Sequence, residues 1–287
     1  VIYLVLSILI SSLLFVIFKL FDVFKINTLQ AIVINYVIAL SFGLATSTSS
    51  LSVVEIPKQP WFLGAFCLGF LFISVFNVMG ITAQKNGLTV ASVAGKMSVV
   101  IPVVFGIFIY NESVSFFKIA GILMALIAVY LSSAKSDTAP VKFKNLIFPL
   151  LLFVGSGFID AGLKYVESKS VSDEAVPMFL ATIFGCAFVL GFFVVVTQMI
   201  NGKFHFHFKN ILGGIALGIP NYYSMEFLIK ALQTGGMESS TLFTINNVSI
   251  VIFTTVFALV FFKEKLIKKN WIGLGLAVIS ILLVALV

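Results

Sequence analysis

Arginine is missing from this sequence, and charge of either sign is scarce. All 18 basic residues are lysines, set against 11 acidic ones, and charged residues make up 10% of the 287. A soluble domain carries about 25%, so a water-facing globular surface is excluded. The lysines lie singly or in short loop clusters, and no arginine-rich patch exists. The net charge of +7 is therefore not a nucleic-acid footprint. Cysteine is nearly absent too. Cys67 and Cys186 each lie inside an apolar run, and neither has a CxxC neighbour. That speaks against a disulfide or metal site, and both are read as small core residues. A Gly-rich phosphate loop ending in Lys-Ser/Thr is missing, which argues against an ATPase. The first apolar run lacks a preceding basic segment and a following small-residue cleavage site, so no signal peptide is expected.

What is present is apolar. Hydrophobic residues make up 60% of the chain, 32 residues are Phe, and the mean hydropathy is +1.17. These values belong to polytopic membrane proteins. A span needs about 20 largely apolar residues. Ten such runs occur, at roughly 1–21, 27–46, 60–84, 88–110, 115–133, 145–165, 175–200, 210–233, 237–262 and 266–286. They are too long for strands and lack period-2 alternation. The expected fold is all-α and integral to the membrane.

The chain also repeats itself. Val104/Val256, Phe105/Phe257, Glu112/Glu264, Gly121/Gly273 and Ala125/Ala277 all sit 152 apart. Ala83/Ala231, Gly87/Gly235 and Ser92/Ser240 sit 148 apart, and Ser11/Ser156 and Lys19/Lys164 sit 145 apart. Ordered matches at near-constant spacing point to duplication: an N-terminal five-helix repeat over 1–134, a linker over 135–144 and a C-terminal five-helix repeat over 145–287. Five spans is an odd number, so the second copy enters the membrane from the opposite side. The expectation is ten transmembrane helices in two inverted-topology repeats, an architecture common among secondary transporters.

Each half ends in a short-loop glutamate, Asn111-Glu112 and Lys263-Glu264, followed by a glycine-containing last helix. With the two five-helix halves, this resembles the EamA family of the drug/metabolite transporter superfamily over nearly the whole chain. The resemblance implies a central cavity lined by helices of both halves, and alternating access. One departure is Pro102 in the fourth span, whose counterpart in the ninth is Thr254 or Ile250.

Ionisable residues inside a membrane are functional candidates, and three stand out. Lys96 lies about 12 Å from the start of its span at a rise of ~1.5 Å per residue, near the midplane of a ~30 Å core. It has no acidic residue three or four positions away. Its side chain reaches too short a distance to snorkel out, so a water-filled cavity or an acid from another helix is needed. The related sugar-phosphate translocators are similar in placing anion-binding lysines on the fourth and ninth helices. Here the ninth span offers Thr244, Asn246 and Asn247, so one lysine suits a single carboxylate or a proton-linked pair. Asp160 and Glu226 lie about 22–24 Å from the lysine-rich side. Each has a lysine at i+4, Lys164 and Lys230, in the favourable order. Local ion pairs and roles in proton coupling or gating both remain open for them.

Asn77 on the third span and Asn221 and Tyr222 on the eighth occupy corresponding helices. Pro220 would free backbone carbonyls beside them. They and the mid-span Asn246-Asn247 are candidates for lining a cavity or for interhelical hydrogen bonds. Gly155-Ser-Gly157 suggests close helix packing. His205 and His207 read as an interfacial anchor rather than a metal pair.

The expected function is secondary active transport, with export, of a small organic metabolite by alternating access. Proton coupling is an open alternative, and no cofactor or metal is expected. Lipid is the only other partner expected, and nucleic acid is not one. Whether the protein is a monomer or a homodimer is left open. A bacterial inner membrane is the expected location. The rivals are a membrane enzyme acting on lipid, which would need a His, Asp or Cys cluster at one interface, and a non-transporting scaffold. For orientation, loops after odd spans hold 12 of the 18 lysines, even loops hold 5, and Lys96 lies within a span. The positive-inside rule puts the odd loops in the cytoplasm, whereas the resemblance implies cytoplasmic ends. Cysteines introduced at Lys268 or Lys269 should therefore resist an impermeant thiol reagent in intact cells, and ready labelling would reverse the orientation.

Overall fold

The computed structural model describes residues 2–47, 54–109, 115–134, 136, 143–172, 175–202, 204–205, 207–233 and 239–285. Among these residues the chain is helical and contains no strand. The helices are α1 (Ile2–Val23), α2 (Thr28–Thr46), α3 (Phe62–Lys85), α4 (Leu88–Met97), α5 (Val100–Ile109) and α6 (Phe116–Ser132). They continue with α7 (Phe143–Ser170), α8 (Val176–Ile200), α9 (Phe208–Gln233), α10 (Ser239–Val260) and α11 (Lys268–Ala285). Six stretches are long and apolar enough to cross a membrane, and shorter apolar helices accompany them. The chain is a multi-pass integral membrane protein. Most of the expected linker lies outside the described residues.

Local chemistry sets the helix ends. At the end of α1, Lys25 turns left-handed at φ 52°, and Ile26 N–H donates to the Phe21 carbonyl at 2.8 Å. This satisfies a carbonyl that the helix would otherwise orphan. Asn27 then caps α2, its side-chain oxygen accepting from Gln30 N–H. The fourth apolar run was expected to be one helix, but it breaks between α4 and α5. Pro102 explains where: it has no N–H, and its ring crowds the carbonyl four residues earlier, at Ser98. That carbonyl instead accepts from Ile101 N–H at 2.8 Å, a tighter turn. The corresponding α10 has no proline at the matching position and runs unbroken.

The helices fall into two compact units. One comprises 1–20, 78–158 and 223–287, and the other 21–77 and 159–222. α1, α3, α7 and α9 contribute a segment to each. In the first unit, α6 packs along α11 and α4 along α10. Gly273 lies so close to α6 that a Cβ there would stand 2.8 Å from the Ser132 backbone nitrogen and 3.0 Å from the Ala128 carbonyl oxygen. Asn270 donates to the carbonyls of Ser132 (2.8 Å) and Ala134 (3.1 Å), capping the end of α6 from α11. Gly157 lets α7 approach Ile101 of α5 directly, in keeping with the packing read for Gly155-Ser-Gly157.

In the second unit α2 packs along α8. Tyr36, fully buried, stacks on Phe184 and tilts against Phe76. Cys186 is half-buried, facing Gly69 of α3. Cys67 departs from the core position expected for it: it lies on the exposed side of α3, where lipid rather than protein accommodates an apolar thiol.

Gly273→Leu should cost roughly 1–3 kcal/mol or more, the usual cost of overpacking. Gly275→Leu, where a Cβ meets nothing within 4 Å, should leave stability nearly unchanged. Thermal unfolding in detergent separates the two, and equal effects would refute this account of the α6–α11 contact.

Candidate functional site

The candidate residues divide between the two units. In the first unit, Lys96 is half-buried in the last turn of α4, two residues before the break at Ser98. It is the only residue of α4 that is not fully buried. The helix that carries it is therefore held on all sides except along the line of the lysine. Asn246, 2% exposed, accepts from the Ser7 hydroxyl of α1 at 3.4 Å, and the same hydroxyl reaches the Ser224 carbonyl at 3.2 Å. Ser7 thus joins α1 and α10 to α9 through one shared proton. Asn247 is also buried. Glu226 accepts from Lys230 at 2.6 Å, so the i,i+4 ion pair read from the sequence is present. With Glu226 at 20% exposure and Lys230 at 44%, the acid is the more enclosed partner.

In the second unit, Asn221 is buried and donates to Asn35 of α2 at 3.0 Å. The Tyr222 hydroxyl is bonded to Thr46 near the end of α2, and its ring stacks on Phe42. Both residues tie α9 to α2 in this conformation. Asn77, half-buried, donates back to the Ile73 carbonyl of its own helix at 2.8 Å. Asp160 is exposed on α7, and the side chain of Lys164 lies outside the described residues. An exposed carboxylate on an apolar helix has to meet water or a cation rather than lipid. His205 and His207 are exposed, and the His205 carbonyl accepts from Gln30 at 3.3 Å. Among the described residues, no three His, Cys, Asp or Glu side chains gather as metal ligands.

Several polar residues escaped the sequence reading. Gln30 accepts from Asn210 at 2.6 Å, and Asn210 accepts from Asn27 N–H at 2.9 Å. This closed amide network joins the starts of α2 and α9. Asn35 and Ser7 were missed because single polar residues in apolar runs resemble any other weakly polar position. The polar partner that reveals them lies 186 and 239 residues away. The buried Tyr36 hydroxyl, among aromatic rings, makes no hydrogen bond to the described residues. Glu264 enters the sequence reading only as a repeat landmark and as part of the family resemblance. In the structure its carboxylate accepts from Leu88 N–H at 2.7 Å.

Residues 147–286 match the EamA-like transporter family, the family that the sequence resembles. An uncharacterized protein of Haemophilus influenzae is 27% identical over 254 residues, covering 85% of this chain and 84% of its own. A crystal structure of another protein, 16% identical, aligns with a TM-score of 0.61 over 99% of this chain and 96% of that one. At that identity the likeness concerns fold alone.

The Asn35–Asn221 bond should show a coupling of about 0.6 kcal/mol in a double-mutant cycle with alanine, the average for interhelical hydrogen bonds in membranes. Additive single effects in detergent unfolding would mean that the two amides do not stabilise one another.

Proposed function

We propose that this chain, whose second half matches the EamA-like transporter family, is a secondary active transporter that exports a small organic metabolite by alternating access. The observation that carries the proposal is the family match over 147–286. A second one supports the duplicated architecture behind it. The sequence repeat makes α2 equivalent to α8, α4–α5 to α10 and α6 to α11, and these are the pairs that pack most extensively. Such pairing is what two inverted five-helix repeats, ten spans in all, would produce around a pseudo-twofold axis. The bacterial relative supports placement in a bacterial inner membrane.

On this reading Lys96 supplies the positive charge. It sits where α4 gives way to a tight turn, on a helix otherwise enclosed, and a half-buried ammonium there attracts a carboxylate or exchanges a proton as its surroundings change. Asn77, Asn221, Tyr222, Asn246 and Asn247 supply neutral donors and acceptors. These become available to a substrate as the interhelical bonds that now occupy several of them open. Asp160 and Glu226 are the acids available for proton coupling, Glu226 by parting from Lys230.

A thermal-shift screen against amino acids, nucleosides and cationic drugs identifies the probe. Binding at about 100 times Kd stabilises a reversible two-state protein by ~2.7 kcal/mol. Uptake of that compound into proteoliposomes under an imposed pH gradient then tests the role of Lys96. Lys96→Met should leave folding intact and abolish transport. Lys96→Arg should restore transport if a fixed charge suffices and fail to do so if a titratable amine is required. Wild-type rates in Lys96→Met would remove the lysine from the mechanism.

A further inference from the structure

Glu264 stands in the turn between α10 and α11, far in sequence from the residues it touches. Its carboxylate accepts from Leu88 N–H at 2.7 Å, from Thr89 N–H at 3.5 Å and from the Thr89 hydroxyl at 3.4 Å. It thereby satisfies the first free donors of α4, at the positive end of that helix. Lys19 of α1 approaches the same carboxylate at 3.9 Å, and both side chains are largely enclosed, at 18% and 14% exposure. A charged acceptor makes the stronger hydrogen bond, so the contact with Leu88 dominates and Lys19 reinforces it.

The backbone is shaped for this contact. Gly87, the residue before α4, has φ 106°, which side-chain-bearing residues avoid, and a Cβ there would stand 3.0 Å from both Glu264 oxygens. Before Glu264, Lys263 turns left-handed at φ 50°, and Glu264 N–H donates to the Ala258 carbonyl at 2.9 Å. The carboxylate is thus presented by a fixed turn rather than by a loose loop.

Further ties surround it in the same unit. Gln84 of α3 donates to the Phe18 carbonyl of α1 at 3.2 Å. Asn86 donates to the Asn145 carbonyl of α7 at 2.7 Å, and the Lys85 ammonium lies 5.0 Å from the centre of the Phe148 ring. One end of this unit therefore gathers α1, α3, α4, α7 and the α10–α11 turn, with the Glu264 carboxylate at the junction.

We infer that Glu264 is a positioning residue and the central latch of this end of the unit: it holds α4, the helix bearing Lys96, against α1 and the α10–α11 turn, and the end opens when it lets go. The inference rests on the transport reading for its purpose but not for its test. A simple helix cap would affect only the first turn of α4, whereas a latch governs the enclosure of neighbouring helices.

The test uses Thr82 of α3 and Ser92 of α4, both buried. Each is replaced in turn by cysteine in a Cys67→Ser/Cys186→Ala background, and the reaction rate of the purified protein with a hydrophilic maleimide is measured. Glu264→Ala should accelerate labelling at both positions at least tenfold. Glu264→Gln, which keeps an oxygen for Leu88 N–H, should accelerate it less. The exchange Lys19→Glu/Glu264→Lys should remain fast, because it restores opposite charges but presents a cation to the start of α4. Parental rates at both reporters in Glu264→Ala, or acceleration at Ser92→Cys with none at Thr82→Cys, would overturn the latch. If Glu264→Ala does not purify as a monodisperse species, Glu264→Gln is judged at the same two positions by the same criterion, at threefold. No substrate enters the assay, so its failure leaves the transport reading standing, and loss of that reading leaves the labelling result intact.

Discussion

Hydrocarbon offers no hydrogen bonds, and this one fact governs the arrangement of polar groups in the molecule. Every amide and hydroxyl placed on an apolar helix has to find a protein partner or lie along a wet path. The buried residues mostly do the former. Asn210 donates to Gln30, Asn221 turns to Asn35, Asn270 collects the carbonyls at the end of α6, and Ser280 of α11 donates to the Gly121 carbonyl at 2.7 Å. Packing between helices in lipid has no hydrophobic driving force of its own. These bonds and the glycine contacts beside them therefore decide which helix lies next to which.

Against that background the charged side chains form a small and distinctive set. Glu226 is neutralised one turn along its own helix by Lys230, and Glu264 is neutralised by a helix start and by Lys19. The two solutions differ in reach. The first joins two residues one turn apart on α9. The second couples three separate parts of the chain, so any movement of α4 has to reckon with it.

Much of the fold was legible because the dominant signal, long apolar runs separated by polar turns, is one-dimensional. The first run ended within a few residues of α1, and the runs for α3 and α8 matched as closely. The break in the fourth run could have been placed from Pro102 alone by counting back four residues to Ser98. Site chemistry was less legible. The Glu226–Lys230 pair was readable because its members are four residues apart. The Asn35–Asn221 and Leu88–Glu264 contacts were not, because they depend on helix neighbours that a linear pattern leaves unspecified. The exposed position of Cys67 has the same cause: which side of α3 faces protein is decided by partners elsewhere in the chain.

The partnership of α2 with α8 and of α6 with α11 also sets a timetable for biosynthesis. The ribosome makes about 130 residues between the end of α2 and the start of α8, which takes roughly 7–26 s at 5–20 residues per second. Throughout that interval Gly43 lacks Ala181, the residue it finally meets, and the Ser132 end of α6, once made, waits in the same way for Gly273 and Asn270. A nascent chain stopped at its midpoint would carry half of each matched surface facing lipid. The contacts of α2 with α8 and of α6 with α11 therefore form only after the second half has been made.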